Sequence, residues 1–356
     1  MPALFDVVEG GLLTTVQDAG RPDWAHVGVP GSGASDPWSL AVANLLVGND
    51  PGAAALEMTL VGPTLAVRPG GAVTIGLAGA DLGARIQGGR RLVPGRSHRL
   101  AAGDTLEING SPRNPPSIGA RAYLAIPGGI DVPLVLGSRS TCLAGAFGGH
   151  DGRALRAGDE IAATGRAGRP TAGLDATDLV RPELVWPAPD AEAGTSDDVS
   201  RHLDAGAGDA APAVLRAVAG PAAGLDALTA LDWRVAAAAD RVGVRLDGAS
   251  LPDAIGGETT TFGVPWGAIQ VPPDGRPIVL GVDHQATGGY RVVGVVISAD
   301  LPVLGQLRSG TPVRLVATDR AAALAALRDR RTALLSGAAA LRDGAGWDAL
   351  IHSAGS

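Results

Sequence analysis

Gly267-Ala-Ile-Gln-Val-Pro-Pro-Asp-Gly-Arg-Pro-Ile-Val-Leu280 contains two short apolar runs on either side of Pro272-Pro-Asp-Gly275. Proline presets the backbone for the first corner of a turn and glycine accepts the left-handed conformation at its end, so the stretch predicts a β-hairpin. The next residues, Gly281-Val-Asp-His-Gln-Ala-Thr-Gly-Gly-Tyr290, raise a question. An apolar strand runs directly into Asp283, His284 and Gln285, side chains that are costly to bury unless something answers them.

The rest of the chain has the same character. It holds 53 glycines and 26 prolines in 356 residues, more than a fifth of the total and without a collagen-like period. That punctuation suits short strands joined by tight turns rather than a helical bundle. A length of 356 residues exceeds one small core and suggests two domains. The net charge of −7 leaves no basic footprint for nucleic acid. Every one of the 29 basic residues is arginine. A chain without lysine has no P-loop lysine, forms no Schiff base and carries no lysine-linked biotin. Cys142 is the single cysteine, which excludes an intrachain disulfide, and the six histidines lack metal-ligand spacing, so no metal site is expected. With no signal-peptide pattern and no long apolar run, the expectation is a cytoplasmic protein that does not enter a membrane.

Outward from the hairpin, Leu12–Gln17, Thr64–Arg68, Ala72–Ala78, Val214–Val218 and Val242–Leu246 read as strands. Leu100–Leu106, Leu155–Ile161 and Leu307–Val313 share an apolar residue, a glycine-centred turn and an apolar re-entry. Gly28-Val-Pro echoes Gly263-Val-Pro, which leaves an internal duplication open. One helix is clearly signalled over Pro37–Val47, with Asp36 as N-cap, Pro37 in its first turn and Gly48 as stop. A second is expected in the Ala-, Leu- and Arg-rich C-terminal stretch from Asp319. The organisation expected is a first domain over 1–164, a linker or surface excursion over 165–212, a second domain over 213–318 and a helical tail over 319–356.

Candidate chemistry gathers at strand ends. Asp283, His284, Gln285, Thr287 and Tyr290 follow one strand, Gln270 lies on its hairpin partner, Asp240 and Arg241 open another strand that carries Arg245, and Gln17, Asp18 and Arg21 play the same part in the first domain. Such a set could hold a phosphate or carboxylate and move a proton. Each member also has a structural alternative as a turn or rim residue bonded to backbone. Gly31-Ser-Gly33 lacks the third glycine of a dinucleotide fingerprint, and Ser35 and Asp36 are better explained as helix caps than as a nucleophile elbow.

Several stretches, in order from about residue 4 to 315, resemble the biotin-dependent carboxyltransferase-domain family. They are Thr14-Thr-Val-Gln-Asp-Ala-Gly-Arg21, Gly28-Val-Pro30, Gly33-Ala-Ser-Asp-Pro37, Ala43-Asn-Leu-Leu-Val-Gly-Asn49, Gly79-Ala-Asp-Leu-Gly83, Gly128-Gly-Ile-Asp-Val-Pro133, Gly137-Ser-Arg-Ser-Thr141, Gly267–Gly275 and Thr287-Gly-Gly-Tyr290. The family includes the C-type subunit of bacterial 5-oxoprolinase, allophanate hydrolase subunit 2, a segment of urea carboxylase and the antagonist of a sporulation-kinase inhibitor. The resemblance implies a mainly β fold with a few helices, built as two cyclophilin-like β-barrel domains. It implies two partner subunits, a homologous one of B type and one of A type, and 5-oxoproline opened to glutamate at the expense of ATP with Mg. It places Asp240, Arg241, Gln270, Gln285 and Tyr290 in the site. Two departures from the family pattern bear on substrate and activity: Ala222-Ala-Gly224 replaces polar residues, and His284 stands where an arginine is common.

The leading expectation is a subunit of an ATP-dependent amidohydrolase in which Arg241 and Arg245 stabilise phosphate charge and Asp283 or His284 acts as base. On that expectation, Arg241→Ala abolishes turnover and leaves the chain folded. The alternatives are a carboxyltransferase taking carboxybiotin from another chain, and a non-catalytic regulatory subunit.

Overall fold

The structure, a computed structural model, describes residues 3–110, 119–165 and 211–343. It is mainly β and divides into two compact units. Among the described residues the first unit comprises 3–21, 32–110, 119–165 and 332–343, and the second 22–31 and 211–331. The expected linker lies outside the described residues apart from its ends.

The first unit is built from two five-stranded sheets. One contains β1 (Ala3–Glu9), β4 (Thr64–Val67), β6 (Ala84–Ile86), β8 (Thr105–Ile108) and β10 (Glu160–Ala162), in the order β10-β1-β4-β8-β6. The other contains β2 (Leu13–Gln17), β3 (Ala55–Thr59), β5 (Val73–Gly79), β7 (Arg96–Leu100) and β9 (Arg121–Ala125), in the order β2-β3-β9-β5-β7. Both sheets supply one core: Phe5, Leu65 and Leu106 from the first meet Leu56, Met58, Ile75 and Leu124 from the second. Helix α1 (Pro37–Leu45) covers the opposite face of β3, β5 and β9, where Leu40, Ala43 and Leu46 pack with Ala55, Ala78 and Tyr123. Those three strands are therefore buried on both faces, which is why β9 beyond Arg121 reads as an unbroken run, Ala122–Ala125, instead of alternating with polar residues.

The start of α1 is tied down as its sequence predicts. The Asp36 carboxylate accepts from Ser39 N at 2.9 Å and from Ser39 Oγ at 2.6 Å. Beneath it lies a polar network that the sequence did not reveal. Buried Glu57 accepts from Ser35 N at 2.8 Å and from Tyr123 Oη at 2.7 Å, and Tyr123 Oη accepts in turn from Asp36 N at 2.8 Å. Burial, with the Glu57 charge beside it, pushes the Tyr123 phenol well above its ordinary range, so it remains a donor.

The second unit closes on itself. β11 (Ala213–Ala219), β12 (Trp233–Val235), β13 (Gly243–Asp247), β15 (Ala268–Val271), β16 (Ile278–Leu280), β17 (Thr287–Val296) and β18 (Pro312–Ala317) pair in the order β11-β18-β12-β13-β16-β15-β17. Pairing of β17 with β11, Val296 opposite Ala217, completes a seven-strand barrel. Closure removes sheet edges, and Trp233, Leu246, Ile269, Val279 and Leu315 are buried. β14 (Glu258–Gly263) attaches to β17 outside the circuit. Short helices α2 (Leu225–Thr229) and α3 (Leu301–Gln306) follow β11 and β17, and α4 (Arg320–Asp343) ends the described chain behind an Asp319 cap on Ala322 N.

The predicted hairpin is β15–β16, with Ile269 opposite Val279 and Gly275 N bonded to Pro272 O at 3.0 Å. The three glycine-centred turns also share one geometry: Gly103, Gly158 and Gly310 have φ of 85°, 90° and 81°. The Gly-Val-Pro echo precedes different elements, α1 in one unit and β15 in the other.

Close seating of α1 depends on Gly76. A Cβ there would lie 2.2 Å from the Ala43 carbonyl oxygen. Gly76→Ala is expected to destabilise the protein by about 1–3 kcal/mol, the usual cost of overpacking. Denaturant unfolding measures it, and an unchanged midpoint would contradict this packing.

Candidate functional site

The polar stretch after β16 turns back on the entry of β13. Beyond the Gly243–Leu280 pair the strands continue through Gly281 N to Val242 O at 2.8 Å and Asp283 N to Arg241 O at 3.0 Å. Gly281 is required at this crossing, since a Cβ would stand 2.3 Å from Arg241 O. The side chains then meet: Arg241 Nε donates to Asp283 Oδ2 at 2.7 Å and Nη2 to Oδ1 at 3.2 Å. Arg241 is 5% exposed and Asp283 6%, so each answers the other's buried charge.

His284 is half-buried, and its Nδ1–H donates to the Gln285 carbonyl at 2.7 Å. That bond leaves the Nε2 lone pair as the basic site of the neutral ring. Burial lowers the imidazole pKa, opposed by the Gln285 bond and the Asp283 charge. Gln285 and Thr287 are exposed, and Tyr290 lies on β17 at 37% exposure.

Gln270 on β15 differs from these. It is 2% exposed, yet its Nε2 has no hydrogen-bond partner among the described residues. The amide lies over Gly288, where a Cβ would come within 2.3 Å of Nε2. A buried amide donor left unanswered is uncommon and marks a place where a ligand or water would bond.

The other expected residues have structural roles in this arrangement. Asp240 is exposed and its Oδ1 accepts from Val242 N at 2.8 Å and Gly243 N at 3.0 Å, capping the turn into β13. Arg245 projects from the exposed face of β13, between buried Val244 and Leu246. In the first unit, Asp18 organises a loop. Its carboxylate accepts from Gly20 N, Arg139 N, Ser138 Oγ and Ser140 Oγ at 2.5–2.8 Å. Buried Arg21 donates through Nη2 to Ser140 O at 2.5 Å and lies 5.1 Å from the centre of the Phe147 ring. Gln17 donates to Thr15 Oγ1 and Thr141 O, while its Oε1 has no partner among the described residues. Ser138 and Ser140, which complete the Asp18 cluster, carried no signal of their own beyond the quoted Gly137–Thr141 motif. Cys142 is buried as a small apolar residue.

Among the described residues no group of three or more His, Cys, Asp or Glu side chains is arranged to hold a metal, and no helix is long and apolar enough to cross a membrane.

Together the two β units and the polar strand ends define a carboxyltransferase-type protein. The carboxyltransferase domain, subdomain A and B, matches residues 27–317, and the chain belongs to that family. It is 34% identical over 334 residues to the 5-oxoprolinase C-type subunit of Escherichia coli (strain K12), covering 92% of this chain and 96% of that protein. It is 32% identical to the urea amidolyase of Lachancea kluyveri, over 88% of this chain but only 17% of that much longer protein. Among solved structures, the urea carboxylase of Kluyveromyces lactis superposes with a TM-score of 0.74 at 27% identity, over 94% of this chain and 29% of that one.

Two tests follow from the geometry. Arg241→Ala is not the clean probe expected from the sequence, because it strands a buried carboxylate. Arg241→Ala and Asp283→Ala should each cost about 3–5 kcal/mol of stability, and Arg241→Met combined with Asp283→Leu should recover most of it. Additive losses in the double variant would show that the pair does not act as a unit. For His284, a folded pKa below the ordinary 6.5 means that the unfolded chain binds the proton more readily. Its contribution is therefore complete above pH 6.5 and is lost as pH falls from there through the folded pKa. Unfolding measured from pH 7.5 to 5 should show a shallower decline for His284→Asn than for the parent.

Proposed function

We propose that this chain is the C-type subunit of an ATP-dependent amidohydrolase of the 5-oxoprolinase kind. It opens 5-oxo-L-proline to L-glutamate in a cytoplasmic complex with two partner subunits, a homologous one of B type and one of A type. The observation that carries the reading is the near end-to-end correspondence with the Escherichia coli protein, against one-sixth of the amidolyase's length.

The chemistry of Gln270 supports it. A carboxamide offers one donor and one acceptor side by side, the complement of a lactam's C=O and N–H. An amide is a poor electrophile. Once the γ-phosphoryl of ATP is on the lactam oxygen, addition of one water at the ring carbon and cleavage of the C–N bond leave a γ-glutamyl phosphate with a free amine, and a second water hydrolyses that acyl phosphate to glutamate and phosphate; the step that calls for a general base is addition of the first water. Neutral His284, with Nε2 available, is suited to take the proton from that water. Arg241 is a positioning residue, since Asp283 occupies its guanidinium. Arg245 lies on an exposed strand face, and the chain has no lysine. Phosphate charge is therefore assigned to Mg and to the partner subunits.

The second reading has its own support in the urea amidolyase relatives and the Kluyveromyces lactis superposition. The ureido ring of carboxybiotin, delivered on another chain, presents the same C=O and N–H pair to Gln270.

The deciding experiment reconstitutes the chain with its two partner subunits and follows ADP and glutamate with and without 5-oxoproline. Lactam-dependent release of both is expected. Gln270→Leu should raise KM for the lactam about tenfold or more, the equivalent of roughly 1.4 kcal/mol, in a complex that still assembles. A folded complex that ignores the lactam but transfers carboxyl from carboxybiotin would replace this reading with the second; inertness towards ATP, lactam and carboxybiotin would favour a regulatory role.

A further inference from the structure

An open cleft of about 680 Å³ lies in the first unit. It is bounded by the chain after α1, Gly48–Ala54, by the turn after β9, Gly128–Asp131, and by Arg139 and Thr164. Its size falls in the range of small-molecule sites.

Much of the polar backbone along the walls is already paired. Asn49 Nδ2 donates to Ile126 O at 2.8 Å and to Asn44 Oδ1 at 2.9 Å, and Asn49 Oδ1 accepts from Gly128 N at 2.7 Å. Gly129 N bonds to Ile126 O, and Ile130 N to Ala54 O. Thr164 closes the turn with Oγ1 on Gly128 O at 2.6 Å and N on Gly129 O at 3.1 Å. Gly128 and Gly129 both adopt positive φ, 87° and 78°, which holds the turn tight against the cleft. With their N–H groups engaged, these glycines form no anion nest, so the cleft is not built for a phosphate.

What remains free is charge. Arg139 uses its backbone N on Asp18 and its Nε on Val132 O at 3.0 Å, which orients the guanidinium and leaves both terminal nitrogens without a partner among the described residues. The Asp50 and Asp131 side chains make no hydrogen bond or ion pair among the described residues. One cation and two anions thus line one preformed cleft and do not neutralise each other.

We propose that this cleft binds a small zwitterion of the α-amino-acid class, its carboxylate on Arg139 and its ammonium on Asp50 and Asp131. The formal charge of the three groups is −1, so an amino acid with a neutral or cationic side chain binds more tightly than an acidic one. The proposal uses none of the residues assigned to the lactam chemistry and holds whether or not that reading survives.

The test is calorimetric titration of the full chain with L-arginine, L-glutamine and L-glutamate, using propionate, propylamine and inorganic phosphate as controls. Partners and ATP are not needed. The expected result is binding of the zwitterions in the order arginine, glutamine, glutamate, with the controls silent and with Arg139→Gln and Asp131→Asn each weakening binding about tenfold or more. Asp50→Asn serves as a further variant should Arg139→Gln disturb the loop held by Asp18. No zwitterion binding to the folded chain, binding unchanged in folded variants, or phosphate binding as tight as the amino acids would each overturn the proposal.

Discussion

A charge taken out of water needs an opposite charge held at hydrogen-bonding distance, and the Arg241–Asp283 pair is where the second unit meets that requirement. The two residues sit just beyond the β13–β16 pairing, one at the entry of a strand and one at the exit of its neighbour. Their bidentate contact and the backbone bond between them extend the barrel wall past its last apolar pair. The polar residues that looked misplaced after an apolar strand therefore have a physical reason to be there. Asp283 turns inward to Arg241, whereas His284 and Gln285, one and two residues on, are progressively more exposed.

The first unit solves a similar problem without a second charge. Asp18, at the end of β2, is surrounded by neutral donors from backbone and serine hydroxyls, and the loop that supplies them is held in turn by Arg21. Both acids follow largely buried strands and both organise a loop, yet one does so by ion pairing and the other by multiple hydrogen bonds. In each case a strand-end carboxylate that sequence suggests as a site residue, Asp283 for catalysis and Asp18 for binding, has its oxygens engaged by the protein itself. Groups whose bonding the fold completes belong to the scaffold; groups left incomplete are the ones available to a ligand.

By that criterion Gln270 and His284 carry more functional weight than their charged neighbours. Gln270 is held under Gly288 with its amide unanswered, and His284 has one nitrogen fixed and the other available. On the proposed reading, a neutral amide and a neutral imidazole match the uncharged amide or ureido group of the ligand. The cleft in the first unit has the opposite character, with backbone satisfied and side-chain charges left over.

Local chemistry was enough to determine much of this molecule from sequence alone. The Pro272-Pro-Asp-Gly275 hairpin, the Asp36-capped helix and the three glycine turns each rest on a few adjacent residues whose backbone preferences agree, and the quoted motifs were sufficient to place the chain in its family. Which polar residues belong to the scaffold was decided only by tertiary structure. Arg241 and Asp283 are separated by 42 residues, and Asp18 and Ser140 by 122. Whether such groups meet depends on how the sheets close, and a side chain's chemistry is set by the partner it finds there.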